Sequence, residues 1–139
     1  MEFYPEAISA YKEAIKLRPE NSGHWLFLGI AYAAAKQNDE AIKAYRQALK
    51  LKPKLNVEKR VWYSLGKAQM ATGKFPESVD SFKEATRLDP NNGMAWESLI
   101  AAYVKLNMRS EAREACEKLA KIDPKNAMAD WGIVSQNFK

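Results

Sequence analysis

The sequence predicts an all-α solenoid in which antiparallel helix pairs stack in one row, and three observations predict it. Prolines recur at Pro19, Pro53, Pro90 and Pro124, in steps of 34, 37 and 34 residues. Tryptophans at Trp25, Trp62 and Trp96 step beside them by 37 and 34. Between these marks, apolar and small residues recur at i, i+3, i+4 and i+7, the spacing of one helical face. A fixed period in this range is the sequence mark of a repeat array, whose units bury their apolar faces only against neighbours.

The chain opens with residues 1–21, a half repeat holding one helix of the second type, with Ala7, Tyr11 and Ala14 on one face. The first complete repeat spans 22–55. Its first helix carries Trp25, Leu28, Gly29 and Tyr32, and its second Ala41, Tyr45 and Ala48. Small residues opposite large rings let one helix lay its ring into the gap on its neighbour. An insertion, 56–58, precedes the next repeat at 59–92, with Trp62, Leu65, Gly66 and Gln69, then Ser78, Phe82 and Ala85. The third repeat, 93–126, departs most, carrying Ile100 in place of glycine and Cys116 in place of a ring. Residues 127–139 read as a lone helix of the first type with Met128, Trp131, Ile133, Val134 and Phe138, its tryptophan one place late. Either this helix packs in a shifted register or the natural chain continues, and its apolar outer face leads us to expect the second.

Capping signals agree with this division. Pro5 and Pro76 fall in the first turn of second-type helices, where a missing N–H costs nothing. Asn21, Asn92 and Asn126 stand where a first-type helix wants an N-cap. In the middle repeat Leu55 occupies that place, so Asn56 is expected to cap and the insertion to lengthen the helix carrying Trp62.

Composition narrows the function classes. Of 139 residues, 47% are hydrophobic and 28% charged, ordinary for a folded domain, and one domain is expected. The longest apolar run, Trp25–Ala35, is too short to cross a bilayer, and Met1–Glu2 starts no secretory pattern, so a cytoplasmic location is expected. One cysteine allows no internal disulfide, and one histidine with one cysteine makes no N/S metal site. No phosphate loop, zinc-protease helix or nucleophile elbow occurs. His24 reads as an exposed polar residue of a first turn, and Cys116 as a small buried hydrophobe beside Glu114 and Glu117, which oppose a thiolate. No enzyme activity and no cofactor are expected.

With period, order and residue types in place, the sequence resembles the tetratricopeptide repeat family over essentially its whole length. The first complete repeat carries all eight signature residues: Trp25, Leu28, Gly29, Tyr32, Ala41, Tyr45, Ala48 and Pro53. The resemblance implies a right-handed superhelix whose first helices line a concave groove, and a non-enzymatic scaffold that binds a peptide or helix of a protein partner there. Offsets from each tryptophan then give the expected groove residues: Leu26, Phe27, Ile30, Arg60, Tyr63, Ser64, Lys67, Met70, Glu97, Ser98 and Ala101. Leu26, Phe27 and Ile30 make an apolar end, and each left in water forfeits roughly 1.5–3 kcal/mol of burial. Something should cover them: an absent first helix of the half repeat, a ligand, or a second copy pairing through the groove or the repeat ends. Arg60 and Lys67 favour an acidic stretch or carboxylate, with Tyr63 as an amphipathic contact.

Some family members hold the acidic tails of heat-shock chaperones in a carboxylate clamp, but the residues here do not match it. Leu26 and Ile30, or Tyr63 and Lys67 one repeat later, stand where that clamp wants lysine and asparagine, and Ser64 or Ser98 replaces its second asparagine. Nucleic acid is the alternative partner, through seven bases between Lys43 and Arg60 against one acid, Glu58. It is disfavoured, because Lys50, Lys52 and Lys54 complement a helix C-terminus and no aromatic is interleaved for stacking. Neither a small-molecule substrate nor membrane insertion is expected.

Overall fold

Eight helices follow one another through residues 3–138, which the computed structural model describes; Met1, Glu2 and Lys139, and with them the reading of Met1–Glu2, lie outside the described residues. They are α1 (Tyr4–Leu17), α2 (Ser22–Ala34), α3 (Asn38–Lys50), α4 (Leu55–Ala71), α5 (Phe75–Leu88), α6 (Gly93–Lys105), α7 (Arg109–Ile122) and α8 (Pro124–Asn137). Among the described residues there are no strands.

Each helix packs on the next. In addition α2 touches α4, α4 touches α6 and α6 touches α8, whereas α1, α3, α5 and α7 make no such contacts with one another. First-type helices therefore crowd together and second-type helices splay apart, which curves the row with α2, α4 and α6 on its inner side.

Rings set into glycine gaps lock the pairs. A methyl group added at Gly29 would collide with the Tyr45 ring, and one at Gly66 would lie 2.6 Å from Phe82 Cε1. Tyr45 and Phe82 are 2% and 0% exposed. The third pair exchanges sizes: Ile100 takes the glycine place and Cys116 the ring place, and both are buried in one core cluster. Summed volume across the contact is what packing demands, and either partner can supply it.

Two kinds of turn join most of the helices; the α3–α4 turn is of neither kind, with Lys52 ahead of Pro53 at a left-handed φ of 50°. Within a repeat, Lys36, Gly73 and Asn107 adopt left-handed φ of 61°, 75° and 59° one residue past the helix cap. The N–H groups of Gln37, Lys74 and Met108 then reach back to the carbonyls of Tyr32, Gln69 and Tyr103, a Schellman closure. Between repeats, Arg18, Asp89 and Asp123 leave the helical region, with φ near -141° and ψ of 75–84°, because a proline follows each, and the helix stops there.

Asn21 and Asn92 cap α2 and α6 as expected, accepting from backbone N–H groups of the first turn. Two caps differ. Helix α4 starts at Leu55 behind Lys54 with no side-chain cap, so Asn56 lies inside it. Helix α8 starts at Pro124, and Asp123 accepts from Asn126 N–H in place of the expected Asn126 cap. Asp123 thus ends α7 and begins α8 with no intervening turn. Helix α8 also packs one place out of register: Val134 is 1% exposed and Phe138 packs on the core, while Ile133 points outward, 55% exposed.

The insertion has a second effect. Trp25 Nε1 donates to the Pro19 carbonyl at 3.1 Å and Trp96 Nε1 to that of Pro90 at 2.8 Å, each six residues upstream. Pro53 lies nine before Trp62, and the Trp62 indole N–H is buried without a partner.

Candidate functional site

On the inner side, α4 supplies the polar centre. Arg60, Tyr63, Ser64 and Lys67 follow at helical spacing, so three of the expected residues meet in one open cleft of about 380 Å³. Arg60, Tyr63 and Ser64 line it from α4, together with Lys59, Asp89 and Asn92. Lys59 Nζ lies 3.6 Å from Asp89 Oδ2 and closes one wall. Lys67 is exposed beyond it.

Phe27 forms the neighbouring apolar surface. It is 38% exposed, with the Tyr11 ring stacked on it at 5.9 Å and the Arg60 guanidinium 5.5 Å from its ring centre. An arginine over an aromatic face gains a cation–π attraction while its remaining donors face outward. The cover expected over the apolar end is thus in part internal, built from α1 and α4.

Leu26 corrects the expected list. It is 1% exposed, set among Val61, Leu65, Ile42 and Tyr45, so it joins the first repeat to the second and meets no ligand. The physical reason is the curvature: first-type helices pack on each other, and the residue after each tryptophan turns towards the following repeat. Ile30 follows it and is half-buried against the same cluster. Tyr63, at the matching offset, is half-buried with its ring 6.1 Å from that of Phe82, and Met70 packs against the C-terminal core.

Further along, Glu97 is half-buried and accepts from Asn126 Nδ2 at 3.1 Å, so an internal amide already occupies it. Ser98 is half-buried and Ala101 exposed. Burial pushes the pKa of the Tyr45 phenol up to about 12, with the neighbouring Ser64 hydroxyl opposing the rise. His24 is half-buried rather than exposed, and its Nδ1 is buried without a partner.

Sequence reasoning missed Lys59, Asp89 and Asn92. Asp89 and Asn92 flank Pro90 in the turn between α5 and α6, and the repeat alignment alone could have placed that turn beside α4. The basic run from Lys43 to Arg60 is divided: Lys43 pairs with Glu40 at 3.5 Å, Lys59 with Asp89, and Arg60 stacks on Phe27. Cys116 is buried, and its thiol is pushed up to about 11 by burial, then by Asp130 and Glu117. No group of three or more metal-ligating side chains occurs among the described residues, and no helix is long and apolar enough to cross a membrane.

Comparison with known proteins places this geometry. The chain is 29% identical over 109 residues to the small glutamine-rich tetratricopeptide repeat-containing protein 2 of Mycosarcoma maydis, a match covering 78% of this chain and 30% of that protein. A 72-residue match, also 29% identical, is to the essential for maintenance of the cell wall protein 1 of Saccharomyces cerevisiae, covering 52% of this chain and 8% of that protein. The chain therefore spans less than a third of these curated relatives. In three dimensions it is similar to MamA, with a TM-score of 0.87 at 25% identity, covering 96% of this chain and 77% of that one. It also shares its fold with the first tetratricopeptide domain of Spaghetti (RPAP3) bound to the HSP90 peptide SRMEEVD, with a TM-score of 0.73 at 22% identity, covering 83% and 90% of the two chains. The family model described as tetratricopeptide repeat matches residues 1–56 and 63–127, most of the sequence. The stacked pairs, the rings set in glycine gaps and this match agree: the chain belongs to the tetratricopeptide repeat family.

Proposed function

We propose that the chain is a non-enzymatic docking module that holds a segment of a partner protein along the inner face of α2, α4 and α6. The observation that carries this reading is the convergence of Arg60, Tyr63 and Ser64 in one open cleft beside the exposed Phe27 ring. Arg60 and Lys67 supply positive charge for a carboxylate, and Phe27 with Tyr63 supplies a flat apolar contact. Ile30, Met70, Ser98 and Ala101 shape the walls, and Glu97 sets the acidic end. The similar fold bound to SRMEEVD supports the peptide class without transferring its ligand, because Leu26 and Ile30, or Tyr63 and Lys67 one repeat later, stand at the clamp's lysine and asparagine places, and Ser64 or Ser98 at its second asparagine.

The test is a fluorescence-anisotropy panel of 12-residue peptides, acidic, neutral and basic, each with or without an aromatic residue. Acidic aromatic peptides should bind best, and more weakly as salt rises, because exposed charges are screened. Arg60→Ala, and separately Phe27→Ala with Tyr63→Ala, should weaken binding about tenfold or more, the scale of one lost hot-spot contact. Circular dichroism should stay unchanged. Equal affinity for wild type and variants, or a preference for basic peptides, would overturn the reading.

A further inference from the structure

Because the second-type helices splay, the outer side of the row stays open between them. Between α5 and α7, which do not touch, lies a slot of about 270 Å³ floored by Trp96, Leu99 and Tyr103 of α6. Its walls and floor lie inside the described row, so its opening does not depend on what precedes α1 or follows α8. One wall is basic, with Lys83 and Arg87 of α5; on the other, α7 carries Glu111 and Glu114 and then Lys118. These five are exposed, whereas Leu99 and Tyr103 are 3% and 7% exposed.

Charge is ordered along the slot. Helix α6 runs antiparallel to its two neighbours, so Tyr103 lies at the end that holds Glu111 and Glu114, and Trp96 at the end that holds Arg87 and Lys118. Burial first, then Glu111, Glu114 and Asp80, raise the Tyr103 phenol above its ordinary value, as negative charges gathered around one hydroxyl do. Helix dipoles account for Glu111 in a first turn and Arg87 in a last turn. They do not account for Lys83, Glu114 and Lys118. Among the described residues, these three and Glu111 take part in no ion pair, while Arg87 pairs with Glu84 on its own helix at 2.8 Å. The arrangement recurs two repeats earlier, where Lys12, Tyr32 and Glu40 line the matching cleft of α1, α2 and α3. At the middle place Gln69 is instead turned inward to Ser81.

We propose that the outer slot between α5 and α7 is a second docking surface, which takes an extended segment of a partner protein bearing one acidic and one basic residue with aliphatic side chains between them. The presence of both signs carries the choice. A polyanion would meet Glu111 and Glu114, and a polycation would meet Lys83, Arg87 and Lys118. A dipolar segment satisfies both ends, its base beside Tyr103 and its acid beside Trp96, while its aliphatic groups cover the Leu99 floor. The lengths agree as well. The helix rise from Trp96 to Tyr103 is about 10 Å, and three steps of extended chain also cover about 10 Å.

The experiment is an NMR titration of the isotope-labelled full chain with four blocked peptides: Glu-Leu-Leu-Lys, Glu-Leu-Leu-Glu, Lys-Leu-Leu-Lys and Gln-Leu-Leu-Gln. The first should shift the amide signals of Lys83, Leu99 and Glu114 to saturation, and the other three should shift them far less. Lys83→Gln and Glu114→Gln should each weaken that binding about threefold, the scale of one exposed ion pair. Glu111→Lys with Glu114→Lys makes both walls basic and should move the preference to Glu-Leu-Leu-Glu. Should that variant lose helicity by circular dichroism, Lys83→Glu with Lys118→Glu tests the same slot by moving the preference to Lys-Leu-Leu-Lys. Slot signals that no peptide shifts, a charge-uniform or neutral peptide that shifts them as strongly, or a reversal that leaves the preference in place would each overturn the proposal. Arg60→Ala should leave this titration unchanged, so the slot and the inner groove fail independently.

Discussion

The first complete repeat and the middle one solve the same packing problem with different details. Both set a ring into a glycine gap, Tyr45 on Gly29 and Phe82 on Gly66. In the first, the Trp25 indole is tied to the preceding turn through Pro19; in the middle, the insertion moves Pro53 away and leaves Trp62 unpaired. The first carries Tyr32, whereas the middle carries Gln69, whose Oε1 accepts from Ser81 Oγ at 2.6 Å in the core, with the two residues 3% and 2% exposed. The ring-in-gap contact is the part retained unchanged. Turn length and the polarity of a core position are adjustable, provided that each buried polar atom finds a partner or its loss is absorbed.

That ranking can be broken by measurement. Gly66→Ala and Gly29→Ala should each destabilise by about 1–3 kcal/mol, because the added methyl forces a buried ring out of its rotamer. Urea unfolding monitored by circular dichroism reads the loss. If either variant matches wild type, the ring contact is not the common lock. Next in size, Trp25→Phe should cost about 1 kcal/mol more than Trp62→Phe, since only the former gives up a hydrogen bond. Equal costs would mean that the Pro19 tether contributes nothing.

Asp130 gives the smallest effect. Desolvation first, and the charge of Glu97 second, hold its carboxyl above the ordinary range. A carboxyl raised on folding holds its proton more tightly in the folded chain. Stability is therefore greatest below the unfolded value and declines as pH climbs through that value towards the raised folded one. Asp130→Ala should flatten this decline and gain on the order of 0.5 kcal/mol at neutral pH, a modest figure because the side chain is only partly buried. Thermal melts at pH 4 and pH 7 compare the two proteins; an unchanged difference between the pH values would remove Asp130 as the cause.

Much of this was readable from residue order. Helix pairing, the glycine gaps and the caps at Asn21 and Asn92 depend on contacts within one repeat, and a period exposes those directly. What escaped depends on contacts between repeats. Leu26 looked like a groove residue because its own helix offers no place to bury it; the burying atoms come from Val61 and Leu65, one repeat on. Gln69 looked like a lapse from the pattern until Ser81 stood opposite. In α8 the late Trp131 already hinted at a shifted register, but not that Asp123 would end one helix and begin the next with no turn between. Of the expected site, Arg60, Tyr63 and Ser64 share a cleft, but its other wall comes from a turn that helical periodicity does not describe.

The exchange of Ile100 and Cys116 has one further consequence. Because the thiol is 5% exposed and its pKa is pushed up to about 11, a thiol-reactive dye should modify it slowly, as the helices packed around it in α6, α7 and α8 part. With no other cysteine to compete, the rate of labelling would clock the breathing of those helices. The chain carries its own gauge of how loosely its far end is held.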